Sequence, residues 1–348
     1  MQKISAYGLI KENSGLVPMT ISRRDVGLLD VKVDILYCGI CHSDVHRATN
    51  DWNDAKYPLV PGHEIIGRVG QVGAGVKKFK TGDLVGVGCM VDSCRACLPC
   101  AKHLEQYCEL GPTYAYNSVD KVSGGYTQGG YSEYIVVNED FVLNIPQNLD
   151  LAAAAPLLCA GITMYSPLIH WKVKKGDKVG IVGLGGLGHM GVKFANALGA
   201  DVVMITTSVK KGEDAKKLGA KEVVISTDLK QLAKHKNSFD FIINTIPVSH
   251  DVNPYLDLLK YDKTMVLVGS LVPLPGVHGT SLIRGRKNLA GSLIGGIKET
   301  QEMLDLCSKN QIACEIEKIA IDQVNEAYKR MLKNDVKYRF VIDMGTLK

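Results

Sequence analysis

The stretch KVGIVGLGGLGHMGVKFA, residues 178–195, decides the fold of this chain. Its apolar start, residues 178–182, is typical of a buried strand, and the glycine-rich run after it opens a helix. In this pattern the first glycine permits a tight turn, the middle ones let backbone amides approach a pyrophosphate, and the last lets helix and strand pack closely. We predict a dinucleotide-binding turn, and a glycine-rich turn without a ligand is the alternative. The predicted cofactor-binding residues of this turn are Gly183, Gly185, Gly186, Leu187 and Gly188.

Strands and helices alternate after this turn. Apolar, strand-like runs lie at residues 202–206, 222–225, 239–244 and 264–269. Helices are predicted among them at residues 194–198, 213–218 and 255–260. Such alternation predicts an α/β unit with a doubly wound parallel sheet of the Rossmann type. Residues 3–150 differ, because they combine many glycines with short β-like runs such as 31–37, 65–72 and 84–87, and predict a strand-rich domain.

The end of the second strand of the α/β unit indicates which nicotinamide cofactor binds. An NAD-specific fold has Asp or Glu there, to accept hydrogen bonds from the adenosine ribose. Residues 205–211 read ITTSVKK and contain no carboxylate. The hydroxyls of Thr206, Thr207 and Ser208, together with Lys211, instead suit a 2′-phosphate. The sequence therefore predicts NADP(H), although these hydroxyls could simply end a strand beside solvated lysines.

Four cysteines follow the spacing C-x2-C-x2-C-x7-C. They are Cys94, Cys97, Cys100 and Cys108. One short loop with this spacing can direct four thiolates to the corners of a tetrahedron, as a closed structural zinc site requires. The alternatives are disulfides in a secreted protein or an iron–sulfur site. Residues 1–14, MQKISAYGLIKENS, lack the apolar segment of a signal peptide, so we expect a cytoplasmic protein with reduced, metal-binding thiols.

A second Cys/His/Cys set remains once those four cysteines are assigned. It consists of Cys41, His63 and Cys159, with Glu64 beside the histidine. Three protein ligands with one open position are typical of a catalytic zinc. The remaining cysteines lie in apolar or helical contexts and are predicted to be ordinary buried thiols. These are Cys38, Cys89, Cys307 and Cys314.

Length and composition exclude several classes of protein. A chain of 348 residues exceeds one typical core, so two domains are expected. Its 46% hydrophobic and 22% charged residues are typical of a soluble globular protein, and no apolar run approaches the roughly 20 residues of a membrane span. The net charge of +5 is spread along the chain, so neither a nucleic-acid nor a membrane partner is expected.

The combined motifs resemble the zinc-dependent medium-chain alcohol dehydrogenases, most of all the cinnamyl alcohol dehydrogenase branch with its bacterial aldehyde reductases. The resemblance covers nearly the whole chain. Beyond the four-cysteine stretch, it rests on CGICHSDVH (38–46), PGHEIIG (61–67), GGYSEY (129–134), LLCAGITMYSPL (157–168), GLGGLGHMGVKFA (183–195) and GSLIGGIKETQEML (291–304). It implies a GroES-like, β-rich catalytic domain of residues 1–154 and 297–348, with a Rossmann NADP-binding domain of residues 155–296 inserted. It further implies a catalytic zinc in the cleft between them and a homodimer.

The same resemblance implies roles for individual residues. Cys41, His63 and Cys159 would bind the catalytic zinc, and Glu64 could enter its coordination sphere. Asp44 would orient His63. Ser43 would take the proton of the substrate hydroxyl, and His46 would pass it to solvent. Further positions that match family sites are Thr245 and Val268 at the cofactor and Trp52, residues 113–116 and Leu293 in the substrate pocket.

These expectations add up to a reaction. The chain should transfer hydride reversibly between NADP(H) and small primary alcohols or aldehydes, including aromatic and cinnamyl-type substrates, with two zinc ions per chain. Leu293 replaces an aromatic residue of typical plant enzymes, which weakens the case for cinnamyl compounds. A zinc polyol dehydrogenase is the alternative enzyme, although that family often lacks the four-cysteine lobe and usually has an acid after the second strand. A nucleotide-sensing module without catalysis is the other alternative.

Overall fold

Residues 1–269 and 272–348 are described by the computed structural model. They divide into two units, of which the first combines both ends of the chain, Met1–Cys159 and Gly295–Lys348, and the second is Ala160–Ile294. The strands are β1 (Gln2–Gly8), β2 (Val17–Arg23), β3 (Asp30–Gly39), β4 (Ile65–Val72), β5 (Leu84–Val87), β6 (Met90–Asp92), β7 (Thr113–Tyr114), β8 (Tyr134–Asn138), β9 (Leu143–Asn144), β10 (Lys178–Val182), β11 (Asp201–Thr206), β12 (Glu222–Ile225), β13 (Phe239–Asn244), β14 (Leu259–Leu267), β15 (Asn288–Gly291), β16 (Ile316–Ala320) and β17 (Arg339–Asp343).

The helices fall mainly between these strands. The α-helices are α1 (His42–Ala48), α2 (Leu98–Ala101), α3 (Leu151–Ala154), α4 (Ala160–His170), α5 (Gly188–Ala197), α6 (Val209–Lys217), α7 (Leu229–Lys234), α8 (Asn253–Leu256), α9 (Gly279–Ile283), α10 (Ile297–Asn310) and α11 (Val324–Leu332). Single 3-10 turns occur at Glu105–Tyr107, Glu139–Phe141, Ala155–Leu158, Ile321–Gln323 and Met344–Thr346.

A seven-stranded sheet organises the first unit. Its order is β16-β17-β3-β4-β5-β9, and β8 also pairs with β3. Burial alternates along part of β3, because one face of the strand turns toward the core, where Val31 and Val33 are fully buried. The C-terminal strand β17 pairs antiparallel with β3, so the two ends of the chain share one core.

A six-stranded parallel sheet organises the second unit. Its order is β12-β11-β10-β13-β14-β15, and every neighbouring pair is parallel. Four of the five residues of β10 are buried, as expected of a central strand. Strand order reverses at β10, which lies between β11 and β13; in such sheets the crevice at the carboxyl ends of these strands receives the ligand. The sheet confirms the predicted Rossmann-type architecture.

Several predicted elements differ from the structure. The helix predicted at 255–260 is wrong beyond Leu256, because Leu259 is fully buried in β14 and pairs with Phe239. Helix α5 begins at Gly188, within the glycine-rich run that was predicted to open a helix but six residues before the predicted segment 194–198, and β14 ends at Leu267, before the predicted end at residue 269. Strand β15 and helix α7 were not predicted.

Among the described residues, no single helix is long and apolar enough to cross a bilayer. Two consecutive helical segments, Leu151–Leu158 and Ala160–His170, meet the length and composition limits only when counted together across a bend.

Candidate active site

Four predicted metal ligands converge in the first unit. Cys41 immediately precedes α1, His63 and Glu64 immediately precede β4, and Cys159 follows the 3-10 turn Ala155–Leu158. All four are buried, and one donor atom from each lies within 4.8 Å of the others. The loop before His63 turns at Gly62, whose φ of 104° is in the region that favours glycine. Segments far apart in sequence therefore supply one compact set of donors.

The spacing of these donors fits zinc. Tetrahedral coordination at a Zn–S distance of about 2.3 Å separates two sulfurs by about 3.8 Å. The Cys41 and Cys159 sulfurs are 3.9 Å apart. His63 places Nδ1 3.2 Å from the Asp44 carboxylate, which leaves Nε2 free for a metal. The residues thus suit the two thiolates and one imidazole of a catalytic zinc site.

Asp44 organises this site from behind. Its fully buried carboxylate accepts hydrogen bonds from the backbone N–H of Cys41 at 2.8 Å and of Gly62 at 3.2 Å, as well as facing His63. Burial alone would lower the pKa of His63, but the Asp44 carboxylate outweighs it, and the pKa is raised well above the usual value. The predicted orienting role of Asp44 agrees with this geometry.

Glu64 has a partner that the sequence did not reveal. Its Oε1 accepts a hydrogen bond from the Arg339 guanidinium of β17, and both side chains are buried. Oε2 of Glu64 has no hydrogen-bond partner among the described residues. Burial raises the pKa of Glu64 to about 7 although Arg339 opposes the shift. The only sequence signal for Arg339 is a lone cation at the start of the apolar run RFVID.

The other four cysteines form a separate cluster, also in the first unit. One sulfur from each of Cys94, Cys97, Cys100 and Cys108 lies within 4.8 Å of the others. The Cys94 and Cys100 sulfurs are 3.8 Å apart, the separation expected of a tetrahedral zinc site. Backbone N–H groups point at the sulfurs, with Cys97 N 3.3 Å from Cys94 Sγ. Backbone hydrogen bonds from Ala96 and Cys97 lower the pKa of Cys94 to about 6, which favours the thiolate that binds metal.

Helix α1 carries the predicted proton path. The Ser43 hydroxyl is 3.7 Å from the Cys41 sulfur. One turn later, His46 Nδ1 is 2.7 Å from Oδ2 of Asp51, and the histidine remains about one-third exposed. The bond to His46 lowers the pKa of Asp51. Asp51 was not predicted. It follows α1, five residues after His46, and a single carboxylate at that spacing is not a recognisable motif.

The predicted cofactor residues lie at one edge of the parallel sheet in the second unit. Gly183 has a φ of 92°, and a Cβ on Gly188 would lie 1.9 Å from the Gly183 carbonyl oxygen. A Cβ on Gly185 would meet nothing within 4 Å, which leaves its backbone open to a ligand. Gly186 and Leu187 complete this turn. The turn therefore fits a pyrophosphate beside the start of α5.

The remaining cofactor positions follow neighbouring strands. Thr206 ends β11, Thr207 is exposed, and Ser208 caps α6 by accepting a hydrogen bond from Lys211 N at 3.4 Å. Thr245 follows β13, and its hydroxyl donates to the Val182 carbonyl at 2.8 Å. Val268 follows β14. No carboxylate occurs in residues 205–211, so this strand end fits a 2′-phosphate better than a ribose diol.

The predicted pocket residues occupy both units. Trp52 lies in the first unit, with its ring 5.2 Å from that of His46. In the 113–116 stretch, Thr113 and Tyr114 form β7, and the Tyr116 ring is 5.7 Å from the His63 ring. Leu293 belongs to the second unit, after β15, and is 39% exposed, so its own unit does not bury it.

Comparisons with known proteins agree with this arrangement. The alcohol dehydrogenase GroES-like domain family matches residues 27–147, and the zinc-binding dehydrogenase family matches residues 186–309. Aldehyde reductase YahK of Escherichia coli is 55% identical over 99% of both chains, and NADP-dependent alcohol dehydrogenase C of Mycobacterium tuberculosis is 50% identical over 100% of both.

Solved structures show the same relationship. A cinnamyl alcohol dehydrogenase of Sorghum bicolor has a TM-score of 0.96 and 43% identity, covering 100% of this chain and 99% of its own. The structure of CAD from Helicobacter pylori, complexed with NADP(H), has a TM-score of 0.93 and 43% identity over 99% of both chains. The predicted family and fold class are confirmed: the chain belongs to the zinc-dependent medium-chain alcohol dehydrogenases, with a GroES-like domain and a Rossmann domain.

Proposed function

We propose that this oxidoreductase interconverts primary alcohols and aldehydes with NADP(H) and a catalytic zinc, with aromatic and cinnamyl-type aldehydes among its substrates. The observation that carries the proposal is the buried set of Cys41, His63 and Cys159 with donor spacing for zinc. The relatives named as an aldehyde reductase, an NADP-dependent alcohol dehydrogenase and cinnamyl alcohol dehydrogenases support the substrate class.

The chain's own residues would bind and orient the reacting groups. When bound, zinc supplies a Lewis acid for the substrate oxygen, and NADP(H) supplies or accepts the hydride. Cys41, His63 and Cys159 would hold the metal, while Asp44 fixes the orientation of His63. Glu64 belongs to the same set of donors and would offer the metal a further carboxylate ligand, since its Oε2 has no hydrogen-bond partner among the described residues.

The proton would travel along α1. We infer that the Ser43 hydroxyl takes the proton of the substrate alcohol and that His46 releases it to solvent, because the imidazole is partly exposed. Asp51 accepts from Nδ1 of His46, which leaves Nε2 as the basic nitrogen facing the relay. Asp51 is therefore proposed as the residue that orients His46.

Cofactor preference follows from the end of β11. We propose that Thr206, Thr207, Ser208 and Lys211 favour NADP(H) over NAD(H), through hydroxyl donors and one positive charge at the 2′-phosphate. The Gly183 to Gly188 turn, Thr245 and Val268 are proposed to contact the rest of the dinucleotide, since they share the carboxyl edge of the sheet. Six cysteine ligands would need a reducing compartment, for which we propose the cytoplasm.

We also propose a homodimer. Strand β15 lies at the end of the parallel sheet and pairs with β14 alone among the described strands. An unpaired strand edge can be completed by a second copy across a twofold axis. The interface segment that the family resemblance implies is residues 265–286, including the apolar residues 280–283. Residues 280–283 lie in α9, and Ser270 and Leu271 of the same segment lie outside the described residues. Light scattering should give about twice the chain mass of 37.8 kDa, and a single-chain mass would refute the dimer.

Metal analysis and turnover test the proposed function together. The purified protein should contain two zinc ions per chain and oxidise NADPH with benzaldehyde, cinnamaldehyde and aliphatic aldehydes. Mannitol and sorbitol should be poor substrates with NADP, unlike in a polyol dehydrogenase. Cys159→Ser should lose one zinc and lower kcat at least about a thousandfold, because the catalytic metal loses a ligand. Full turnover by Cys159→Ser would exclude this site as the catalytic one.

A further inference from the structure

Arg47 places a cation among the side chains of the predicted pocket. It lies in the last turn of α1, directly after His46. Its guanidinium carbon is 4.6 Å from the centre of the Trp52 ring, which also neighbours the His46 ring. The sequence analysis did not identify Arg47, because a single Arg inside a helix is usually a solvated side chain.

The surroundings of Arg47 are partly dry and aromatic. Only 18% of its side chain is exposed. Burial lowers the pKa of Arg47, and the hydroxyls of Tyr116 and Tyr114 are the ionisable groups that oppose the shift. Tyr116 in turn lies beside the metal ligand His63, with 5.7 Å between ring centres. Arg47 and His63 therefore each have an aromatic side chain of the predicted pocket beside them, Trp52 and Tyr116 respectively.

The carboxylate that pairs with Arg47 is replaceable. Asp54 forms the ion pair, but 52% of its side chain is exposed. Ion pairs with such an exposed partner contribute little to stability, because water competes for the carboxylate. A guanidinium stacked on Trp keeps its in-plane N–H donors available for a carboxylate in bidentate geometry. Another anion of suitable shape can therefore take the place of Asp54.

We propose that Arg47 selects aldehydes and alcohols that carry a carboxylate at a distance from the reacting carbon. The inference rests on the proposed function, since it concerns the same pocket and reaction. The substrate's carboxylate exchanges with Asp54 and pairs with the guanidinium, while its carbonyl end reaches the Cys41, His63 and Cys159 set. Arg47 is thus a specificity-determining residue, and the preferred substrate class is an oxo acid or its hydroxy acid counterpart.

Matched substrates test this inference. We compare kcat/KM for para-carboxybenzaldehyde and meta-carboxybenzaldehyde with kcat/KM for benzaldehyde, using the zinc-loaded enzyme and NADPH. In Arg47→Gln the ratio of acidic to neutral substrate should fall at least about tenfold, the loss expected for one charge-assisted pair. In Asp54→Asn the same ratio should rise, because the guanidinium loses its competing partner. Lys56→Gln, which removes a positive charge from the same exposed loop, should leave the ratio within about twofold of wild type.

The outcomes distinguish the two levels of the proposal. An unchanged ratio in Arg47→Gln, or an equal fall in Lys56→Gln, overturns the role of Arg47 while leaving aldehyde reduction in place. Absence of turnover with all three aldehydes by the wild-type enzyme would instead refute the proposed function. If Arg47→Gln does not fold, the direction of the change in Asp54→Asn decides, and a ratio that does not rise overturns the inference.

Discussion

Asp44 shows how one buried carboxylate can hold three separate segments in place. It bonds the start of α1 through Cys41 N, the turn before β4 through Gly62 N, and the ring of His63. Each of these bonds is charge-assisted and shielded from water, so each constrains geometry more strongly than a neutral bond would. The positions of two proposed metal ligands, Cys41 and His63, therefore depend on a residue that would not itself bind the metal.

Glu64 and Arg339 illustrate what the sequence does not show at this scale. The two residues are 275 positions apart, and only the pairing of β17 with β3 brings them together. Ligand spacing in CGICHSDVH and PGHEIIG was sufficient to predict Asp44 from the family resemblance. No local pattern predicts a buried countercharge from the far end of the chain, because burial is decided by tertiary packing.

Removal of the imidazole tests the proton path. His46→Ala should lower alcohol oxidation near neutral pH at least about tenfold, with partial recovery at higher pH as hydroxide replaces the missing base. Ser43→Ala should be slower still, since the proposed relay then loses the hydroxyl that would take the substrate proton first. The measurement compares the pH–rate profiles of the wild-type enzyme, His46→Ala and Ser43→Ala at saturating NADP. A His46→Ala profile that coincides with wild type would show that this histidine is structural.

Asp51 gives the relay a second, more sensitive test. Asp51→Asn removes a negative charge 2.7 Å from the His46 ring. Asparagine keeps an oxygen that can accept from Nδ1 but not the charge, so the imidazole should be held less firmly and alcohol oxidation near neutral pH should slow at least about twofold, a smaller loss than in His46→Ala. Asp25→Asn, a change at an exposed carboxylate elsewhere in the first unit, is the control. A wild-type rate of alcohol oxidation in Asp51→Asn would contradict the orienting role.

At the scale of elements, short strands with clear boundaries were predicted best. Strands β4, β5, β10, β12 and β13 have the bounds that the sequence predicted, because turn residues flank each apolar run. Residues 255–260 were predicted to be a helix as part of the alternation of strands and helices. Burial against Phe239 in the adjacent strand decided in favour of β14, and a single sequence does not contain that information.

The junction of β11 and α6 carries the cofactor prediction. The Ser208 hydroxyl already accepts a hydrogen bond from Lys211 N as the cap of α6, whereas the neighbouring Thr207 is exposed. Thr207→Asp should repel a 2′-phosphate and accept a ribose diol, so the kcat/KM ratio of NADPH to NADH should fall at least about tenfold. Thr20→Asp, the same change at an exposed position of β2, should leave the ratio unaltered. Equal use of both cofactors by the wild-type enzyme would show that the strand end was misinterpreted.

For the whole molecule, connectivity is the feature that only the resemblance could supply. Composition and periodicity predicted a strand-rich part and an α/β part, but they gave no reason to join the C-terminal residues to the first part. In the structure β16 and β17 extend the sheet that contains β3, so Gly295–Lys348 belongs with Met1–Cys159. Pairing between strands 300 residues apart leaves no periodic signal, because each strand pattern is satisfied equally well by any neighbour.

The four-cysteine lobe should contribute to stability and the catalytic set to activity. Large apolar side chains of the lobe are exposed, including Leu98 at 63% and Leu110 at 76%, so the lobe has little core of its own. It contacts the rest of the first unit through Arg95, which bonds Asp92 and Asp140, and through Glu105, which accepts from Ile297 N at 3.1 Å. A bound metal must therefore supply most of the lobe's folding free energy.

Replacement of one lobe ligand separates these two roles. Cys97→Ser should reduce zinc from two ions to one per chain and lower Tm by at least about 5 °C, because a closed site with three ligands binds metal weakly and the lobe unfolds. Ala96→Ser introduces the same side chain at an exposed neighbouring position and should change neither quantity. Cys159→Ser should give the reverse pattern, with turnover lost and Tm lowered less than in Cys97→Ser. Two zinc ions and a wild-type Tm in Cys97→Ser would mean that the lobe folds without its metal, and the division of roles between the two sites would have to be abandoned.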